Sequence, residues 1–218
     1  MKFPKAHAGV KKLFAVELIQ IIIGFVAVLA VIFAATKSEG LLLASGTMLL
    51  ATGIAAVVAF VLSLVGLHQA GKDEIQIQYA FCMALLGIIL GVVASILGGI
   101  KNPGKAVAIL ADIAETGEKL AQLFTSFYVL MGIASLASKL KEAGMEKQGK
   151  RLANWVILLY CVSILLGLTG LILKALPSAP EVVVTIAAII AIVAAVSELV
   201  VYILTVVYYG KAVKMLKK

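Results

Sequence analysis

The chain has 218 residues, of which 63% are hydrophobic and 14% charged, and its mean hydropathy is +1.14. A soluble domain carries about half apolar and a quarter charged residues, so a water-soluble core is excluded and an integral membrane protein in contact with a lipid bilayer is expected. The formal charge of +8 does not point to nucleic acid, because Arg151 is the only arginine among 19 basic residues and phosphate and base-edge readers lean on arginine.

In chain order, Lys2, Lys5, Lys11 and Lys12 precede a first apolar run over 13–35. That run is longer than the roughly 7 to 15 residues of a signal-peptide core and no A-x-A cleavage site follows, so it reads as a span that stays in the membrane. Five further runs follow at 41–67, 77–100, 120–137, 154–173 and 182–209. Pro4, Pro103, Pro177 and Pro180 all lie outside the runs, as helix punctuation should. The fourth run is diluted by Gln122, Thr125 and Ser126. The mixed stretch before it, 105–119, interrupts apolar residues with Asp112 and Glu115 and reads as an interfacial helix or as the unwound outer end of the span. The expected fold is all-α, a polytopic six-helix transmembrane bundle forming a single membrane domain over 1–218.

Charge orients the bundle. With the N-terminus inside, the N-tail, the 68–76 and 138–153 loops and the C-tail share one side and hold fourteen of the 19 basic residues, leaving Lys37, Lys101, Lys105, Lys119 and Lys174 opposite. The positive-inside rule then predicts a multi-pass protein of the cell membrane with both termini cytoplasmic.

Two stripes of small residues suit close helix packing. Gly87, Gly91, Ser95 and Gly99 recur every four residues in the third span, and Ala51, Ala55, Ala59 and Ser63 do so in the second. Because these spans are consecutive and antiparallel, the stripes are expected to pack on each other within one subunit, with homodimerisation as the alternative. No motif encodes an oligomeric state.

The last three spans hold most of the polar side chains. Glu198 is the only formal charge in 182–209, a run otherwise dominated by Val, Ile, Leu and Ala. An acidic residue at the bilayer centre costs about 3 kcal/mol, while each Val, Ile or Leu returns roughly 0.3 to 0.6 kcal/mol, so the helix still inserts and Glu198 is tolerable without a function. Tyr202, Thr205 and Tyr209 follow it at helical spacing on one face. Tyr160 and Ser163, with Gly167 and Gly170, form a stripe on span five, and Thr125 and Tyr128, with Gly132 and Ser135, one on span four. Under the predicted topology Tyr128, Tyr160 or Ser163, and Glu198 share the middle of the membrane. An intramembrane ionisable residue is a functional candidate, and hydrocarbon favours a protonated carboxyl over a charged one. The layer would bind a small solute or a proton during transport. The bland reading is a structural hydrogen bond between helices. A third reading is a non-transporting accessory or assembly subunit that binds a membrane partner protein.

Other residues add little chemistry. Cys82 and Cys161 fall within apolar runs and read as buried packing, not as a disulfide or a zinc site. Glu17 and Gln20 lie one turn inside the first span, where Lys11 and Lys12 can reach them. His7 and His68 are the only histidines, so no histidine-based metal cluster is expected. No nucleophile stands with a base and no carboxylates are usefully paired, so neither catalysis nor a cofactor is expected. The loop 138–151 is basic enough to lie along an anionic membrane surface, although ordinary positive-inside loading accounts for the same residues.

Overall fold

Within hydrocarbon no water is available to bond a backbone N–H or C=O, so a long apolar run satisfies its own backbone as a helix. The computed structural model describes residues 2–36, 39–100, 104–175 and 181–217, with the side chains at 39, 42, 105, 164, 166–175, 181–184, 186 and 187 outside that description. Among the described residues there are six helices and no strand: α1 (Pro4–Ala35), α2 (Glu39–Gly71), α3 (Ile75–Gly98), α4 (Lys105–Lys139), α5 (Ala143–Ala175) and α6 (Glu181–Leu216). Five are long and apolar enough to cross a membrane, over Pro4–Ala35, Leu43–Gly71, Ile75–Gly98, Ala106–Lys139 and Ala188–Leu216. The predicted fifth span falls within α5, where Gly167 and Gly170 lie outside the described side chains.

The helices outrun the apolar stretches. α1 begins at Pro4, whose fixed φ suits a first helical position and whose missing N–H is one the helix would leave unpaired anyway. The 105–119 stretch is neither a separate interfacial helix nor unwound; it is the first part of α4. No proline interrupts it, and i,i+4 pairs brace it: Lys119 Nζ to Glu115 Oε1 at 2.7 Å and Gln122 Nε2 to Glu118 Oε1 at 3.0 Å. α4 ends where Lys141 takes a left-handed φ of 59°. There Lys141 N–H donates to Ser138 O at 3.0 Å and Glu142 N–H to Ala137 O at 2.9 Å, which satisfies two terminal carbonyls.

The chain forms two compact units, Met1–Gln78 with Tyr209–Lys218, and Tyr79–Tyr208. In the first, α1 and α2 pack closely. Gly9 meets Gly66 O, and a Cβ placed on Gly9 would lie 2.6 Å from both Ala70 Cβ and Ala70 N. Ala6, Val10, Leu13 and Val16 are buried on α1, and Leu67 and Ala70 on α2. Lys12 Nζ donates to Gln69 Oε1 at 2.6 Å, so this lysine is engaged by the α2 end of the hairpin.

The first turn of α1 contains no acidic residue and its N-cap, Phe3, makes no side-chain hydrogen bond. Asp73, from the turn after α2, fills that role: its Oδ2 accepts from Ala6 N–H at 2.8 Å. Asp73→Ala is expected to lower stability by about 1 kcal/mol, and Asp73→Asn, which keeps an acceptor oxygen, to restore most of it. Thermal unfolding of both variants in detergent checks this; equal losses would show that charge, not the hydrogen bond, matters.

In the second unit the buried residues include Leu130, Ile133, Ala134, Leu136 and Ala137 of α4, Leu152, Ala153, Val156 and Leu159 of α5, and Tyr208 of α6. In both units much of the apolar surface stays uncovered, including 66% of Phe25 and 75% of Leu43 in the first and 65% of Ile96 in the second, which suits contact with lipid chains. Cys82 and Cys161 belong to this uncovered surface; both are free and exposed, which corrects the expectation of buried packing. Lipid accepts a small apolar thiol as readily as a protein core does, so their apolar surroundings in sequence did not separate the two.

Candidate functional site

The helix α6 carries Glu198 well inside its apolar length. With a span of 182–203 the carboxylate lies roughly 8 Å from the middle, and with 189–209 it is almost central. Ser163 of α5 donates its hydroxyl to Glu198 Oε1 at 2.7 Å, so the polar stripes of these two helices meet. Tyr160, three residues before Ser163 and half-buried, lies within electrostatic reach of the same carboxylate. Glu198 itself is exposed, not enclosed by its own chain.

The other residues of the predicted layer have local partners. Thr205 Oγ1 donates to Val201 O at 2.9 Å and Thr125 Oγ1 to Ala121 O at 2.8 Å, each within its own helix. Such bonds satisfy a hydroxyl in hydrocarbon without recruiting another helix. Tyr202 is half-buried on the Glu198 face of α6, and Tyr209 is buried. Tyr128 joins an aromatic group: its ring centroid is 5.8 Å from Tyr79, 6.2 Å from Phe124 and 5.5 Å from Phe127. The edge-on arrangements with Tyr79 and Phe127 match the positive rim and negative face of aromatic rings.

The small-residue stripe of α3 receives α4. A Cβ on Gly87 would lie 3.4 Å from Ala121 Cβ, and one on Gly91 would lie 3.0 Å from the Glu118 carboxyl carbon and 3.1 Å from both its oxygens. Gly117 in turn faces Leu90, whose Cδ1 is 3.0 Å from where a Cβ would stand. Ser95, further along α3, and Gly99, just past its end, are exposed. On α2, Ala59 is buried, Ala55 and Ser63 are half-buried and Ala51 is exposed; the packing described for α2 within its unit is with α1.

Glu118 is the residue that sequence reasoning missed. Gly91 lies about 4 Å along the helix axis from the middle of the predicted span 77–100, so the Glu118 carboxyl is seated against the central part of that apolar run. The Gln122 amide donates to it at 3.0 Å. Starting the fourth span at Leu120 left Glu118 outside the predicted run. The available signal was the helical register Glu118, Ala121, Gln122 and Thr125, which continues the span's face by one turn.

Near the α4–α5 turn, Glu146 accepts from Lys150 Nζ at 2.6 Å, and this bond, followed by the Ser138 hydroxyl, holds its carboxyl below the usual range. Among the described residues no group of three or more His, Cys, Asp or Glu could hold a metal ion. Comparison with profiles of known protein families, with curated proteins and with solved structures yields no match for this chain.

Proposed function

We propose that this multi-pass membrane protein binds and passes a proton or a small solute through a mid-membrane polar layer centred on Glu198, with both termini on the cytoplasmic face of the cell membrane. The observation that carries this reading is the 2.7 Å hydrogen bond from Ser163 to Glu198. A serine hydroxyl donates to a charged carboxylate and, after rotating, accepts from a protonated one, so Ser163 can hold Glu198 in both states. A carboxyl that keeps the same hydrogen-bond partner with and without a proton is the kind of group a carrier of protons or cations needs. Tyr160 on α5 and Tyr202 on α6 are the nearest polar side chains on the faces that carry Ser163 and Glu198 in sequence, and no catalytic step is part of this reading.

The test is proton flux into vesicles reconstituted with the full chain, read with an enclosed pH-sensitive dye under an imposed gradient. Glu198→Gln is expected to abolish the protein-dependent flux, and Ser163→Ala to slow it while the protein remains folded. Wild-type flux no faster than in protein-free vesicles, or full activity of the Gln variant, would sink the transport reading.

The exposure of Glu198 favours a second reading, that of an accessory or assembly subunit. A carboxyl uncovered by its own chain at membrane depth is satisfied most readily by a polar group on the helix of another membrane protein. In that case a stoichiometric partner co-purifies, and Glu198→Leu releases it.

A further inference from the structure

The first half of α5 carries a groove that the Glu198 layer does not use. It has a volume of about 430 Å³ and is lined by Lys147, Lys150, Arg151, Asn154, Trp155 and Leu158. These positions follow one helical face, and they change in chemistry along it. Lys147, Lys150 and Arg151 come first, Asn154 and Trp155 stand at the start of the predicted fifth span, and Leu158 lies within it. From Lys147 to Leu158 the rise is about 17 Å, the distance from a headgroup to the upper part of an acyl chain.

We propose that this groove is a binding site for an anionic phospholipid, with the lipid phosphate held between Lys147 and Arg151, its glycerol region beside Asn154 and Trp155, and an acyl chain along Leu158. Lys150 is held by Glu146 at 2.6 Å. Lys147 and Arg151 are exposed and have no ion pair among the described residues, so their charge is available to a ligand. Arg151 presents the fork of N–H donors that grips two oxygens of one phosphate, which no lysine reproduces. Trp155 is 48% exposed and Leu158 51%, which gives the charged end an adjoining apolar wall. An indole at the boundary between charged and apolar residues occupies the interfacial level where tryptophan anchors membrane helices. Positive-inside loading requires only charge on one side of the membrane; it does not require a graded charge, indole and leucine on one face.

Trp155 is the only tryptophan in the chain, so its fluorescence reports on the groove directly. The full-length protein is reconstituted in zwitterionic phosphatidylcholine vesicles with a minor fraction of either brominated phosphatidylglycerol or brominated phosphatidylcholine, and quenching of Trp155 is compared. The anionic lipid is expected to quench selectively. Lys147→Gln with Arg151→Gln should reduce that selectivity on the order of tenfold. Lys139→Gln with Lys141→Gln, which removes the same charge from the preceding turn, should leave it intact. Inorganic phosphate in the buffer should not compete, because the site holds the lipid chain as well as its headgroup. Equal quenching by the two lipids, an equal loss in both double variants, or displacement by free phosphate would overturn the proposal. None of these readouts depends on Glu198 or on transport.

Discussion

Gly9→Ala is expected to destabilise the α1–α2 hairpin by about 1–3 kcal/mol or more, although it adds one methyl group. The new carbon would lie 2.6 Å from the backbone nitrogen and the Cβ of Ala70 and still closer to Gly66 O. Backbone atoms cannot rotate away as a long side chain would, so the helices must separate. Separation strains the Lys12–Gln69 contact and the Asp73 cap on Ala6 as well. Gly24→Ala on the same helix is the control, since nothing lies within 4 Å of the site and the change only improves helix propensity. Thermal unfolding in detergent should therefore show a lowered midpoint for Gly9→Ala and an equal or raised one for Gly24→Ala. Equal midpoints for the two variants would mean that the crossing is looser than its geometry indicates.

A comparable loss is expected for Gly149→Ala in the second unit. Tyr208 is fully buried, and its hydroxyl, which donates to Met145 O at 3.2 Å, fills the space over Gly149. A Cβ there would overlap that hydroxyl and would lie 2.9 Å from Ala134 Cβ, so α4, α5 and α6 all meet at this point. The cost of overpacking is about 1–3 kcal/mol, whereas Tyr208→Phe alone loses one hydrogen bond, roughly 0.5–1.5 kcal/mol. In the double variant the hydroxyl no longer opposes the methyl group, so the combined loss should be smaller than the sum of the two singles. Gly144→Ala, at an open position, is the control. A double-mutant cycle on thermal stability measures the coupling, and strict additivity would show that the hydroxyl and the Gly149 site do not constrain each other.

Much of the architecture was legible in the residues. Apolar runs of twenty or so residues dictate helices because lipid offers the backbone no alternative partner, and the placement of the prolines and lysines marks where those helices stop. The ends were less legible. The first helix starts at Pro4 and the fourth at Lys105, in stretches whose mixed composition hides a regular backbone. Hydropathy reports the preference for lipid, whereas helix continuity depends on propensity and i,i+4 pairs, which polar residues also supply.

The site divides along the same line. Glu198 was visible as the one charge in its run, and the spacing of Tyr160 and Ser163 marked a polar face on a neighbouring helix. Periodicity along one helix fixes which residues share a face, but it carries no information about which other helix that face meets. Only the tertiary structure decided that Ser163 reaches Glu198, that Tyr128 packs among aromatic rings, and that the α3 glycines receive Ala121 and Glu118 of α4. In lipid no hydrophobic force favours one apolar face over another, so the choice of partner rests on steric fit and on a few polar contacts between residues far apart in sequence. The sequence by itself determined that this chain is a set of long apolar helices suited to a membrane, one of them carrying an acidic residue within its apolar run; which groups surround that residue was settled by packing.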